Sequence, residues 1–92
     1  MAVAIRIPTA LRSRAGGQSS LEVDGATIGA VLQGLVSSYP DLAGQVFGAD
    51  GELHRFVNVY VNDDDVRYMS GLDTPVADGD QVTLLPAVAG GA

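Results

Sequence analysis

Few residues in this chain can do covalent or acid–base chemistry. There is one histidine, His54, and neither cysteine nor lysine. A thiol nucleophile, thiolate metal sites and disulfides are thereby excluded. A histidine-based triad would have to use His54, and "ELHRF" offers it no ordering partner beyond Glu52. A histidine at a strand edge accounts for the residue. Asp63, Asp64 and Asp65 carry the oxygens that a hard cation needs, but the spacing of a calcium loop fails: Tyr68 and Thr74 stand where glycine and glutamate are required. Asp78 and Asp80 flank Gly79 as turn residues leading into a strand. Phosphate loops, dinucleotide fingerprints, nucleophile elbows and H-E-x-x-H are absent. These patterns identify no catalytic residue and no metal site. What remains is Gly90-Gly91 in "LLPAVAGGA", a charge-free stretch behind an apolar run. Without Cβ atoms, such a segment can pass closely through a narrow enzyme channel. Ala92 follows it and holds the Gly91 carbonyl as an amide.

The elements that must present this segment are legible from periodicity. Val3, Ile5 and Ile7 alternate with Ala4 and Arg6, predicting a first strand over residues 2–7, ended by Pro8. "RSRAGGQSS" has the composition of a turn, and Leu21 and Val23 alternate with polar neighbours, so a second strand is expected to pair with the first as a hairpin. From Thr27, an N-cap residue, Ile28, Val31, Leu32, Leu35 and Val36 recur on one helical face, up to the stop at Tyr39-Pro40. Leu42 and Val46 suggest a further short helical turn. "FVNVYVN" is the strongest strand, with Val57, Val59 and Val61 inward and Phe56, Asn58 and Tyr60 outward. "NDDD" turns the chain, "VRY" is expected as a short strand, and "ADGD" leads into a last strand, "QVTLLP". Val82 and Leu84 should face inward there, with Thr83 and Leu85 outward.

Hairpin, helix, strand, short strand, strand is the order of an α+β β-grasp (ubiquitin-like) fold. It has a mixed sheet of four to five strands, with the first and last side by side and one main helix across the inner face. An all-β barrel fits less well because the 28–36 stripe is so regular. The 92 residues form one domain, read as residues 1–86, with 87–92 as a flexible tail.

Eleven carboxylates against five arginines give a net charge of -6, which repels nucleic acid and anionic membranes. The apolar start before Arg6 and Pro8 is too short for a signal peptide or a span, so a cytoplasmic location is expected. The missing lysines leave no internal ε-amine to accept an acyl group.

"VNDDDVRYMSGLDTPVADGDQVTLLPAVAGG" resembles the ThiS/MoaD family of ubiquitin-like sulfur carriers, and "IPTALR", "GATIGAVLQGLVSSYP" and "LHRFVNVYVNDDDVR" extend the likeness over nearly the whole chain. The resemblance implies a protein cosubstrate, not a catalyst, with no cofactor of its own. An E1-like adenylating/sulfurtransferase enzyme would use ATP to activate the Gly91 carboxylate, and a sulfur nucleophile would convert it to a thiocarboxylate. The acceptor in a cysteine-forming route would be an aminoacrylate on the pyridoxal phosphate of a cysteine synthase-type partner. Val88, Ala89 and Gly90 would thread into the partner. The outer sheet face, with Phe56, Tyr60 and Leu85 as apolar contacts and Arg6 and Arg67 at the rim, would be the docking surface. Many such carriers end at the second glycine. Ala92 is therefore either a cap removed by a JAMM-type zinc protease or a residue foreign to the natural end. Two other roles within this resemblance are the small subunit of molybdopterin synthase and a ubiquitin-like protein modifier.

Overall fold

The structure, a computed structural model, describes residues 2–54 and 57–86. Strand β1 is Ala2–Arg6 and strand β2 is Ser20–Asp24, paired antiparallel from Ala2 opposite Asp24 to Arg6 opposite Ser20. Helix α1 runs over Ile28–Ser38, followed by a 3-10 turn at Pro40–Leu42 and a short helix α2 at Ala43–Val46. Strands β3 (Val57–Val61), β4 (Asp64–Asp65) and β5 (Gln81–Pro86) complete a five-stranded sheet in the order β2-β1-β5-β3-β4. The β1 and β5 strands are parallel and the other pairs antiparallel. This is the β-grasp arrangement: the chain's first and last strands lie beside each other in the interior of the sheet.

The core forms where the two periodicities meet. Val3, Ile5, Val59, Val61, Val82 and Leu84 line one sheet face, and Ile28, Val31, Leu32 and Leu35 of α1 close over it, all buried. Each such side chain contributes about 1.5–3 kcal/mol on leaving water. The helix starts where expected: Thr27 is extended, and its hydroxyl accepts from the Ala30 amide at 3.2 Å. It ends at Ser38 because Tyr39 precedes a proline and leaves the helical region. At Gly34 a Cβ would lie 2.7 Å from the Val23 side chain, so the glycine is what lets α1 settle against β2.

Two expectations are corrected. The segment after β1 is not a plain turn: Thr9–Ala15 winds as a 3-10 helix, burying Leu11 and Ala15 under the core. Arg12 Nε donates to the Ile7 carbonyl at 3.1 Å, and Gly16, at φ 65°, terminates the winding. "VRY" is not a strand either. The pairing is made by Asp64–Asp65, and Asp65 then accepts the Arg67 amide at 2.9 Å, starting a 3-10 turn at Val66–Tyr68 that buries Val66.

The acidic loops act as turn chemistry. Asp78 Oδ1 accepts from the Ala2 amide at 2.9 Å, and Asp80 Oδ2 accepts from the Ala77 amide at 2.8 Å. Asn62 takes a left-handed conformation, φ 57°, where its amide donates to the Gln81 carbonyl at 2.7 Å and its Oδ1 accepts from the Gln81 amide at 3.2 Å. One residue thus extends the β3–β5 ladder with both its backbone and its side chain. Thr74 is the one buried polar residue among those described. It is satisfied, its Oγ1 accepting from the Ser70 amide and its carbonyl from the Ile28 amide.

Candidate functional site

Strand β5 determines where anything after residue 86 must start. Its pairing with β1 runs from Gln81 opposite Ala4 to Thr83 opposite Arg6, whereas its pairing with β3 continues to Leu85 opposite Asn58 and Pro86 opposite Val57. Among the described strands, the last turn of the pleat is therefore held by β3. Pro86 fits there, since it has no N–H to offer a second neighbour. Residues 87–92, including the candidate threading residues Val88, Ala89 and Gly90 and the candidate reactive pair Gly91 and Ala92, lie outside the described residues.

The outer face beside this exit brings the expected contact residues together in two adjacent rows. Arg6, Thr83, Tyr60 and Asp65 lie side by side across β1, β5, β3 and β4, and Leu85 faces Asn58 in the next row. Arg6 is exposed and Leu85 is 45% exposed, beyond the end of the β1 pairing; Tyr60 is half-buried. Phe56 lies outside the described residues. An open groove of about 560 Å³ crosses the face, with Arg6, Arg12, Asp63, Thr83 and Leu85 among its walls.

Arg67 is on this face too, but its guanidinium is engaged within the molecule. Nη1 donates to Asn58 Oδ1 and Nη2 to the His54 carbonyl, both at 2.8 Å. That carbonyl also accepts the Val57 amide at 3.0 Å. His54 itself is half-buried in the segment leading into β3, its amide donating to the Val46 carbonyl at 2.8 Å. It lies three positions before β3, not in the strand edge expected for it.

Sequence reasoning passed over one surface feature. The turn at Val66–Tyr68 projects Tyr68, 90% exposed, with Met69 beside it at 48%. Had "VRY" been a strand, the tyrosine would have lain against the sheet. The available signal was Asp65, a residue type that caps helical turns through its side chain.

The fold and the exit strand define a class: a small β-grasp domain whose last strand, central in the sheet, leads directly into a Gly-Gly segment. The ThiS family model matches residues 5–91, and the chain belongs to the ThiS family. The sulfur carrier protein CysO of Mycobacterium tuberculosis is 52% identical over 93 residues, covering 99% of this chain and all of that protein. A putative sulfur carrier protein of Archaeoglobus fulgidus is 34% identical over the same shares. Among solved structures, the Amycolatopsis orientalis BexX/CysO complex contains a chain that superposes with a TM-score of 0.88 at 45% identity, over 96% of this chain and 98% of that one. The M. tuberculosis CysO crystal structure matches with a TM-score of 0.86 at 50% identity, over 94% and 99%. These relatives are named as carriers, not as catalysts.

Proposed function

We propose that this chain is a sulfur carrier that holds sulfur as a thiocarboxylate on Gly91 and delivers it to an acceptor bound by a partner enzyme. The supporting observation is its full-length likeness to proteins named sulfur carriers, within a family match that runs through Gly90 and Gly91.

The chemistry needs a free Gly91 carboxylate, so Ala92 is removed first, by hydrolysis of the Gly91–Ala92 peptide bond; a JAMM-type zinc protease is the proposed agent. A free carboxylate is a poor electrophile. In an E1-like partner its oxygen attacks the α-phosphorus of ATP, pyrophosphate leaves, and the acyl adenylate forms. A sulfide-level sulfur then attacks the acyl carbon and expels AMP, leaving the C-terminal thiocarboxylate. The terminal sulfur is now the nucleophile. In a cysteine-forming route the acceptor would be bound by a cysteine synthase-type partner, whose pyridoxal phosphate would supply the electrophilic β-carbon. These ATP-dependent steps are assigned to the cytoplasm. The carrier supplies no catalytic group. Its part is to present the tail at a fixed place and to offer the outer face (Arg6, Tyr60 and Leu85, with Phe56 expected there from the alternation of its strand) for partners to select.

The chain alone, with host extract, ATP and sulfide, tests the proposal by intact mass. The expected product lacks one alanine and has one oxygen replaced by sulfur. A chain that keeps its alanine and gains no sulfur contradicts the scheme.

A second reading, conjugation to other proteins, is favoured by one observation: small archaeal modifier protein 3 of Haloferax volcanii is 44% identical over 68 residues, 74% of this chain. Both fates share the adenylate. They differ in whether sulfide or a target amine attacks it, and Gly-Gly remnants on other lysate proteins are the mark of the second. With no lysine of its own, the chain could build no lysine-linked polymer on itself.

A further inference from the structure

We infer that Arg67 is a positioning residue for the root of the reactive tail, acting through strand β3 and not through contact with a partner. The inference rests on the sulfur-carrier reading for its assay and on geometry for its substance. Beyond Thr83, strand β5 is held on the β3 side, at Leu85 opposite Asn58 and Pro86 opposite Val57. The planar fork of Arg67 holds the start of β3 directly at Asn58 and indirectly at Val57, through a carbonyl they share. Nη1 donates to the side chain of Asn58, and Nη2 to the His54 carbonyl that also accepts the Val57 amide. The arginine is itself fixed from behind: its amide donates to Asp65 Oδ1, and Val66 beside it is buried. A buried anchor, a capped turn and two charge-assisted bonds thus connect the β4 turn to Asn58 of β3 and to His54 in the segment leading into it. The pair Val57 and Pro86, at the root of the tail, is thereby kept in register.

A lysine cannot reproduce this, because its single ammonium does not form a fork that reaches both acceptors in fixed geometry. The consequence for activation concerns orientation. A carrier whose β3 start frays still docks through its outer face, but its tail leaves the domain over a wider range of directions, so fewer docked complexes place Gly91 at the nucleotide.

The test compares wild type, Arg67→Ala, Arg67→Lys, Asn58→Ala and the double variant Asn58→Ala/Arg67→Ala, each ending at Gly91. It uses a purified adenylating enzyme that modifies the wild type, with pyrophosphate exchange as the readout, at a temperature where every variant is folded by circular dichroism. The expected result for Arg67→Ala is a fall in kcat of up to about tenfold with KM unchanged, since loss of orientation without loss of docking acts on the chemical step. Arg67→Lys should recover only part of it. Faster amide exchange at Val57 in the free Arg67→Ala protein should accompany the change, and Asn58→Ala should be non-additive with Arg67→Ala. A rise in KM at constant kcat would make Arg67 a docking contact and overturn the inference. Loss of thermal stability with both constants unchanged would make it purely structural and also overturn it. If the wild type itself is not adenylated by any such enzyme, the carrier reading fails instead, while the Val57 exchange rates still decide the structural half.

Discussion

Replacing Asn62 tests how the turn before β4 sets the start of the exit strand. Two separable contributions are visible. Its backbone sits at φ 57°, a region that costs an ordinary L-residue about 1–2 kcal/mol and glycine almost nothing. Its side chain makes two exposed hydrogen bonds, Oδ1 accepting the Gln81 amide at 3.2 Å and Nδ2 donating to Asp80 Oδ1 at 3.5 Å, together worth about 0.5–1.5 kcal/mol. Asn62→Ala loses both and should cost about 2–3 kcal/mol; Asn62→Gly loses only the second and should cost about 1 kcal/mol. For a chain of 92 residues the whole stability is about 5–14 kcal/mol, so the alanine variant removes a readily measured share. Urea unfolding followed by circular dichroism should show both midpoints lowered at a common slope, with alanine the lower. A glycine variant as unstable as the alanine variant, or more so, would refute the reasoning, because the left-handed conformation would then carry no cost.

Other substitutions probe the remaining links. Thr27→Ala removes the hydroxyl that caps α1 and should cost about 1 kcal/mol in the same urea assay, with Thr27→Ser close to wild type. Leu84→Ala should cost about 2–5 kcal/mol, since the side chain is buried beneath α1. Its exposed neighbour Leu85→Ala should change stability by no more than about 0.5 kcal/mol and instead weaken capture by the adenylating enzyme in a pull-down. At Gly25 a Cβ would meet the Val31 amide nitrogen at 2.8 Å, backbone that cannot swing aside. Gly25→Ala should therefore lower the melting temperature by several degrees, about 1–3 kcal/mol, in a thermal scan.

The framework was legible wherever one periodicity ran uninterrupted. Val3, Ile5 and Ile7 marked β1, the Ile28 to Leu35 stripe marked α1, and Val82 and Leu84 marked β5, because each pattern reports burial on one face and nothing competes with it. The misreadings share a cause. In "RSRAGGQSS" and the residues just before it, the glycines and polar residues masked a 3-10 winding whose buried members, Leu11 and Ala15, are four positions apart. In "DDVRY" a β-rich tripeptide was overridden by the Asp65 side chain, which captured the Arg67 amide. The outer face followed from alternation once β3 and β5 were placed. The internal engagement of Arg67 could not be foreseen, since it depends on a turn whose type was misjudged. The tail was read from residue types and position, and its chemistry from family likeness.

The central claim is that Gly91 bears the sulfur, and its most direct test is localisation. Lacking lysine, and with Arg67 its last arginine, the chain yields on trypsin digestion a single C-terminal peptide beginning at Tyr68. After incubation with the activating enzyme, ATP and isotopically labelled sulfide, tandem mass spectrometry of that peptide should place one labelled sulfur on the terminal carbonyl of Gly91, with Ala92 gone. A peptide that ends in Ala92 with oxygen throughout, under conditions that load sulfur onto another ThiS-family carrier, would contradict it.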